Sequence, residues 1–175
     1  NVYLYMTNLQ KKLPKGNMQI LGENHVNTAF TTTCPLDSEI VIFRKEEWFK
    51  VFIHETFHNF ALDFSDMNNV ACHSQIQKIF AVKSDVNLFE SYAEFWAEVM
   101  NVCFCSYHST DDHTNMRDYL DTCRYYLDLE IKFNAFQLVK SLGYMGVGYS
   151  NMIKRTQQDQ MIRDTLYKED TNVLA

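Results

Sequence analysis

Apolar residues in the first quarter of the chain fall in short runs separated by turn residues. NVYLYMTNL is rich in β-prone side chains, LPKGN marks a turn, HVNTAFTTT alternates Val26, Thr28 and Phe30 on one face, and EIVIF is a short continuous apolar run. Such runs predict the strands of a small sheet. Beyond Lys45 the spacing becomes helical. Over Lys45–Leu62, Phe49, Ile53, Phe57 and Phe60 share one side, and Glu47, Val51, His54 and His58 share the other. The phenylalanine side is therefore expected in the core, with the histidines facing away from it. After a polar break at SDMNN and an unassigned stretch from Cys72 to Asp85, a second helix is predicted over about Asn87–Tyr107. Tyr92, Trp96, Val99 and Cys103 lie on its apolar side, and Glu90, Glu94 and Asn101 on the other. STDDHTN reads as a loop and RDYLDTCRYYLDLEIKFNAFQLVKSL as a long amphipathic helix ended by Gly143. GYMGVGYS reads as a glycine-rich turn before a polar helix over about Asn151–Tyr167, with fraying residues at the end.

This order predicts an α+β fold, mostly helical. One domain is expected over 1–175, made of a sheet region (1–44), a helical region carrying the histidines and acids (45–107) and a C-terminal helical region (108–175). Composition agrees: 46% hydrophobic residues suit a packed globular chain, and 5 glycines with 2 prolines leave little room for a turn-rich all-β fold. Net charge of −6 and the lack of a dense Lys/Arg block argue against a nucleic-acid surface; KRTQQDQ is too short and too mixed. No apolar run approaches the roughly 18–20 residues of a membrane span, and no signal peptide is recognisable, so a soluble chain is expected. The 5 cysteines are odd in number and match no CxxC. Lying mostly in apolar helical segments, they read as buried free thiols of the cytoplasm or another reducing compartment. The chain opens on Asn1, not Met, which reads as an excerpt or processed product of something longer.

KVFIHETFHNFALDFS carries the candidate chemistry. On a helix, residues i and i+4 lie on one face with Cβ atoms roughly 6 Å apart, so His54 and His58 can reach one cation. Zinc accepts imidazole nitrogen in tetrahedral geometry, and a catalytic site leaves one position for water. Glu55 stands about 100° round the helix, where a general base for that water belongs. The bland alternative is a partly exposed helix whose histidines are merely polar.

A third protein ligand is then needed. A metzincin arrangement would place a histidine six residues after the second and a glycine between; Phe64 and Ala61 occupy those positions, which excludes it. LFESYAEFWAEV offers Glu90 and Glu94 at i, i+4. Glu90 can ligate the metal while Glu94 accepts the free N–H of a ligand histidine, fixing its tautomer and orientation. Ala93 and Ala97 flank this face and would let the two helices approach closely.

HETFH with ESYAE resembles the gluzincin clan of zinc metallopeptidases, which includes thermolysin and neprilysin; its ExxAE form is similar to that of anthrax lethal factor and related compact domains. The motifs cover about 50 residues of the chain. The resemblance implies one Zn2+ held by His54, His58 and Glu90, with Glu55 as base and proton shuttle and Glu94 partnering a ligand histidine. It also implies a zincin-like fold, in which a small N-terminal sheet packs on the active-site helix and the glutamate-bearing helix. An edge strand would align an extended peptide or protein substrate. HVNTAFTTT suits that edge, whereas EIVIF suits a central strand. A tyrosine or histidine stabilising the tetrahedral intermediate is a further implication. Tyr144 and Tyr149 are the candidates and His108 and His113 the rivals; Glu98, His73 and His25 read as surface or capping residues, and Glu47 as cleft or solvated surface.

Other readings stand beside the zinc metalloendopeptidase. One is a non-catalytic zincin-like protein within a larger assembly, for example a virus particle, which would make it virion-associated. Another is a zinc hydrolase of a non-peptide amide, and a third is a metal-free helical binding module.

Overall fold

The computed structural model describes residues 1–16, 18–32, 37–83 and 87–169. Cys34, Asn17 of the LPKGN turn and the end segment expected to fray lie outside the described residues. Three strands and seven helices follow in the order β1 (Val2–Thr7), α1 (Glu23–Val26), β2 (Ala29–Thr31), β3 (Ile40–Arg44), α2 (Trp48–Asn59), α3 (Val70–Ile79), α4 (Leu88–Ser109), α5 (Met116–Met145), α6 (Tyr149–Ile153) and α7 (Gln157–Leu166). The described chain is thus α+β and mostly helical. It gathers into two compact units, each drawn from three stretches: Asn1–Gln10, Thr28–Asp63 and Tyr92–Ala135 in the first, Lys11–Asn27, Phe64–Ser91 and Phe136–Ala175 in the second.

In the first unit the strands form one sheet ordered β1-β3-β2. β1 runs parallel to β3, with Val2 opposite Ile40 and Leu4 opposite Ile42, and β2 runs antiparallel, with Ala29 opposite Ile42 and Thr31 opposite Ile40. EIVIF is therefore central, as its unbroken apolar run implies: Ile40, Val41 and Ile42 are all buried. β2 is an edge, but it is shorter than expected. Val26 belongs to α1, and Thr28 and Ala29 point inward while Phe30 is exposed. The alternation of Val26, Thr28 and Phe30 is thus overturned, because small residues fit under the helix that packs over this face of the sheet.

That helix is α2. Val51 and Phe52 pack on Ala29, Ile40 and Ile42. Asn59, one turn after Glu55, donates to Thr31 Oγ1 (2.8 Å) and to the Thr32 carbonyl (3.2 Å) and accepts from Ser38 Oγ (3.0 Å). The side of α2 that covers the sheet therefore runs through Val51, Phe52, Glu55 and Asn59. This corrects the expected phenylalanine core: in that stripe only Ile53 is buried, Phe60 is 64% exposed, and the Phe49 and Phe57 rings meet Phe104 and Tyr92 of α4. A similar correction applies to α4. Ala93 and Ala97 are fully buried, whereas Tyr92, Trp96 and Cys103 are exposed, because side-chain size decides which face a second backbone can approach.

α2 ends in a left-handed turn. The Leu62 N–H donates to the Phe57 carbonyl (2.8 Å) and the Ala61 N–H to that of His58 (3.1 Å), and Ala61 takes φ +50°. This double bond pattern normally selects glycine at that residue. In the second unit α5 closes the same way: Val147 bonds to Leu142 (2.9 Å), Gly146 to Gly143 (3.1 Å), and Gly146 has φ +75°. The expected stop at Gly143 is therefore three residues early, because the left-handed position belongs to Gly146. Ala61→Gly is expected to stabilise the protein by about 0.5–1 kcal/mol, the steric relief less the added chain entropy, read from the urea midpoint.

The second unit has its own core of Leu142, Met145, Val147 and Met152, against which Phe80, Leu138 and Tyr144 pack. α3 was missed although Cys72, Ile76 and Ile79 recur at helical spacing in the sequence; none of its residues is buried. The tail expected as one helix is α6 and α7; Thr156 accepts from the Asp159 N–H (3.1 Å) and starts the second. Among the described residues no helix is long and apolar enough to cross a membrane. Cys72, Cys103 and Cys105 are exposed free thiols and Cys123 is half-buried, so the expectation of buried cysteines fails for all four that are described. Cys103 falls on the exposed side of α4, where the apolar stripe does not coincide with the packed face.

Candidate metal centre

The two histidines of α2 sit one turn apart on one side, and their Nε2 atoms are 2.9 Å from each other. Their other ring nitrogens each meet a carboxylate. Nδ1 of His54 is 3.0 Å from Glu94 Oε2, and Nδ1 of His58 is 2.6 Å from Asp63 Oδ2. An ionised carboxylate only accepts, so the ring proton belongs on Nδ1 in both histidines. Both Nε2 atoms are then lone-pair donors aimed at one another. Two such nitrogens at this distance repel unless a proton or a metal cation lies between them, so the pair can share a hydrogen bond or hold one metal ion.

α4 brings the acids. Its first turn is counted with the second unit, but α4 is one uninterrupted helix and carries Glu90 a turn ahead of Glu94 on the same side. One ligand atom each from His54, His58 and Glu90 lie within 4.8 Å of one another. Ligand atoms around a tetrahedral zinc would be separated by ~3.3 Å, so small side-chain adjustments bring this set to bonding geometry. Two imidazoles and one carboxylate fit a divalent transition metal with a position left for water.

Glu55 is only 8% exposed. At about 100° per residue it stands roughly 60° from His58 and 100° from His54, on the side toward β2 and β3. The same wheel puts Phe52 and Asn59 beside it, so the tie from Asn59 to the edge strand also fixes the helix face that presents Glu55.

Burial by itself pushes the Glu94 carboxyl up, but the hydrogen bond from His54 and the charge of Lys50, whose Nζ bonds to Oε1, outweigh it and hold the group at about 2. An unstructured glutamate protonates near 4.5. The interaction therefore favours the folded metal-free protein at pH above that value and fades as pH falls from 4.5 toward 2. In Glu94→Gln, acid unfolding of the metal-free protein is expected to lose the part of its pH dependence lying in that window, as followed by circular dichroism.

Of the residues singled out in the sequence, His54, His58, Glu90 and Glu94 are brought together, with Glu55 beside them on α2. The others have different surroundings. The Tyr144 hydroxyl bonds to the carbonyls of Gly16 (2.5 Å) and Gln19 (3.0 Å), and Tyr149 is exposed at the start of α6. His108 lines an apolar cleft of about 480 Å³ with Phe49, Phe104, Tyr126 and Leu129, and His113 stacks on Tyr107 at 4.2 Å. His25 Nδ1 accepts from the Gly22 N–H (3.0 Å), a capping role, and Glu98 accepts from Asn134 (2.7 Å).

Two residues were missed. Asp63 lies five residues after His58, beyond the helix, and reaches it only through the turn at Ala61; its side chain is 2% exposed. An aspartate within the apolar ALDF was the available signal. Lys50 lies four residues before His54, an i, i+4 relation that could have been read directly. No family model matches the chain, and no curated protein or solved structure compared with it is similar to it.

Proposed function

We propose that this chain is a zinc-dependent metallopeptidase, with one Zn2+ held by His54, His58 and Glu90 and with Glu55 as general base. The observation that supports the reading is the paired histidine–carboxylate arrangement: each ring has Nδ1 at its own acid, the two Nε2 atoms meet 2.9 Å apart, and one ligand atom each of His54, His58 and Glu90 lie within 4.8 Å of one another. Zinc at that point supplies Lewis-acid polarisation of a carbonyl and of water, whose pKa falls toward about 7. Glu55 takes the proton of the attacking water on its carboxylate and returns it to the leaving amide nitrogen. Glu94 and Asp63 hold the imidazoles in the tautomer and direction that binding needs.

A peptide is favoured over a non-peptide amide by the edge strand. β2 pairs with β3 on one side and is tied by Asn59 to the helix that bears Glu55, so an extended substrate backbone adding to this edge runs beside the base. A zincin-like arrangement of sheet, active-site helix and glutamate helix is consistent with this packing. Neither Tyr144, whose hydroxyl is engaged by Gly16, nor Tyr149 is given a part in the mechanism.

A second reading, a non-catalytic zincin-like protein in a larger assembly such as a virus particle, is favoured by the apolar side chains that α4 and α5 leave exposed: Phe95 at 56%, Ile131 at 60% and Phe133 at 43%. Digestion of a library of unstructured peptides by the zinc-loaded protein, analysed by mass spectrometry, separates the two. The peptidase gives internal cuts that a chelator stops. Stoichiometric zinc without any cut supports the scaffold.

A further inference from the structure

The Glu94 carboxylate is gripped from two directions. Oε1 takes the Lys50 ammonium and Oε2 lies 3.0 Å from His54 Nδ1. Both donors come from one face of α2, while Glu94 comes from α4. The terminal torsion of a glutamate is soft, so a single hydrogen bond leaves the carboxylate plane free to turn. A second bond to the other oxygen fixes it.

We infer that Lys50 is a positioning residue for the metal ligand His54, acting through Glu94. The inference rests on the metal reading of the site, and does not depend on peptide hydrolysis. Lys50 holds the carboxylate in the orientation that receives Nδ1–H, so that Nε2 faces the metal point shared with His58 and Glu90. Burial pulls the Lys50 ammonium down, but Glu94 and then Glu47 more than offset it, which keeps the charge in place. A salt bridge that merely joins α2 to α4 would contribute to stability and leave metal affinity unconnected to Glu94.

The test is a double-mutant cycle on the zinc dissociation constant of the full chain, measured by competition with a chromophoric chelator for wild type, Lys50→Met, Glu94→Gln and the double variant. Removing the ammonium also removes its long-range repulsion of a dication; that effect is common to both halves of the cycle and cancels. Lys50→Met is expected to weaken zinc binding about tenfold more when Glu94 is present than when Glu94→Gln has already been introduced. Lys50→Arg, which keeps charge and donors, should bind zinc as wild type does. The thermal midpoint of each metal-free variant checks its fold, and Lys50→Gln replaces Lys50→Met in the cycle if the latter does not fold. Equal effects in the two backgrounds overturn the role of Lys50 while leaving the metal centre standing. Failure of the wild type to bind zinc overturns the metal reading and this inference together.

Discussion

Glu55→Gln is expected to lower peptide hydrolysis by between about a hundredfold and ten-thousandfold while zinc remains bound, the range typical of a lost general base. The substitution preserves size and shape at a position only 8% exposed, so the packing of α2 on the sheet should survive. On the proposed reading it removes the group that takes a proton from water beside the histidines. Steady-state rates at matched zinc occupancy test this. Full hydrolysis by the variant would mean that another group is the base, and would remove Glu55 from the mechanism.

His58→Ala is expected to abolish zinc binding and hydrolysis together. It deletes one of two imidazole ligands and leaves the buried Asp63 carboxylate without the ring it meets at 2.6 Å. Asp63→Asn should be milder, because the ligand stays and only its orientation is loosened; losses of about 10–100-fold in affinity are usual for such partners. Thermal unfolding with and without zinc distinguishes the three proteins. At a free zinc concentration one hundred times its dissociation constant, wild type gains about 2.7 kcal/mol. His58→Ala should gain nothing, and Asp63→Asn should gain less than wild type at the same zinc concentration. A zinc-induced gain in His58→Ala equal to that of wild type would exclude His58 as a ligand.

The parts of this site that were legible in the sequence lie within single helices. His54 with His58, and Glu90 with Glu94, are i, i+4 pairs whose common face follows from helix geometry alone. Lys50 obeys the same rule with His54, and its role was readable on that basis. Asp63 was marked only by its place in the apolar ALDF, and its approach to His58 was not readable, since it depends on a left-handed turn at an alanine, where the pattern gave no glycine to announce it. The order of the sheet was readable from EIVIF, whose unbroken apolar run belongs between two neighbours. The packing faces were not. Phenylalanines on α2 and aromatics on α4 mark apolar surface, but the contacts with the sheet went to the half-buried Val51 and Phe52, and the buried positions of α4 include Ala93 and Ala97, because packing is decided by fit as well as by hydrophobicity.

The central claim, that His54, His58 and Glu90 form one metal centre, is tested most directly by titrating zinc into protein freed of metal and of any histidine tag, with bound metal measured by elemental analysis. The account predicts saturation at one zinc per chain in wild type and none retained by a variant lacking all three ligands. Equal zinc retention by the two proteins, or none by wild type, would contradict it.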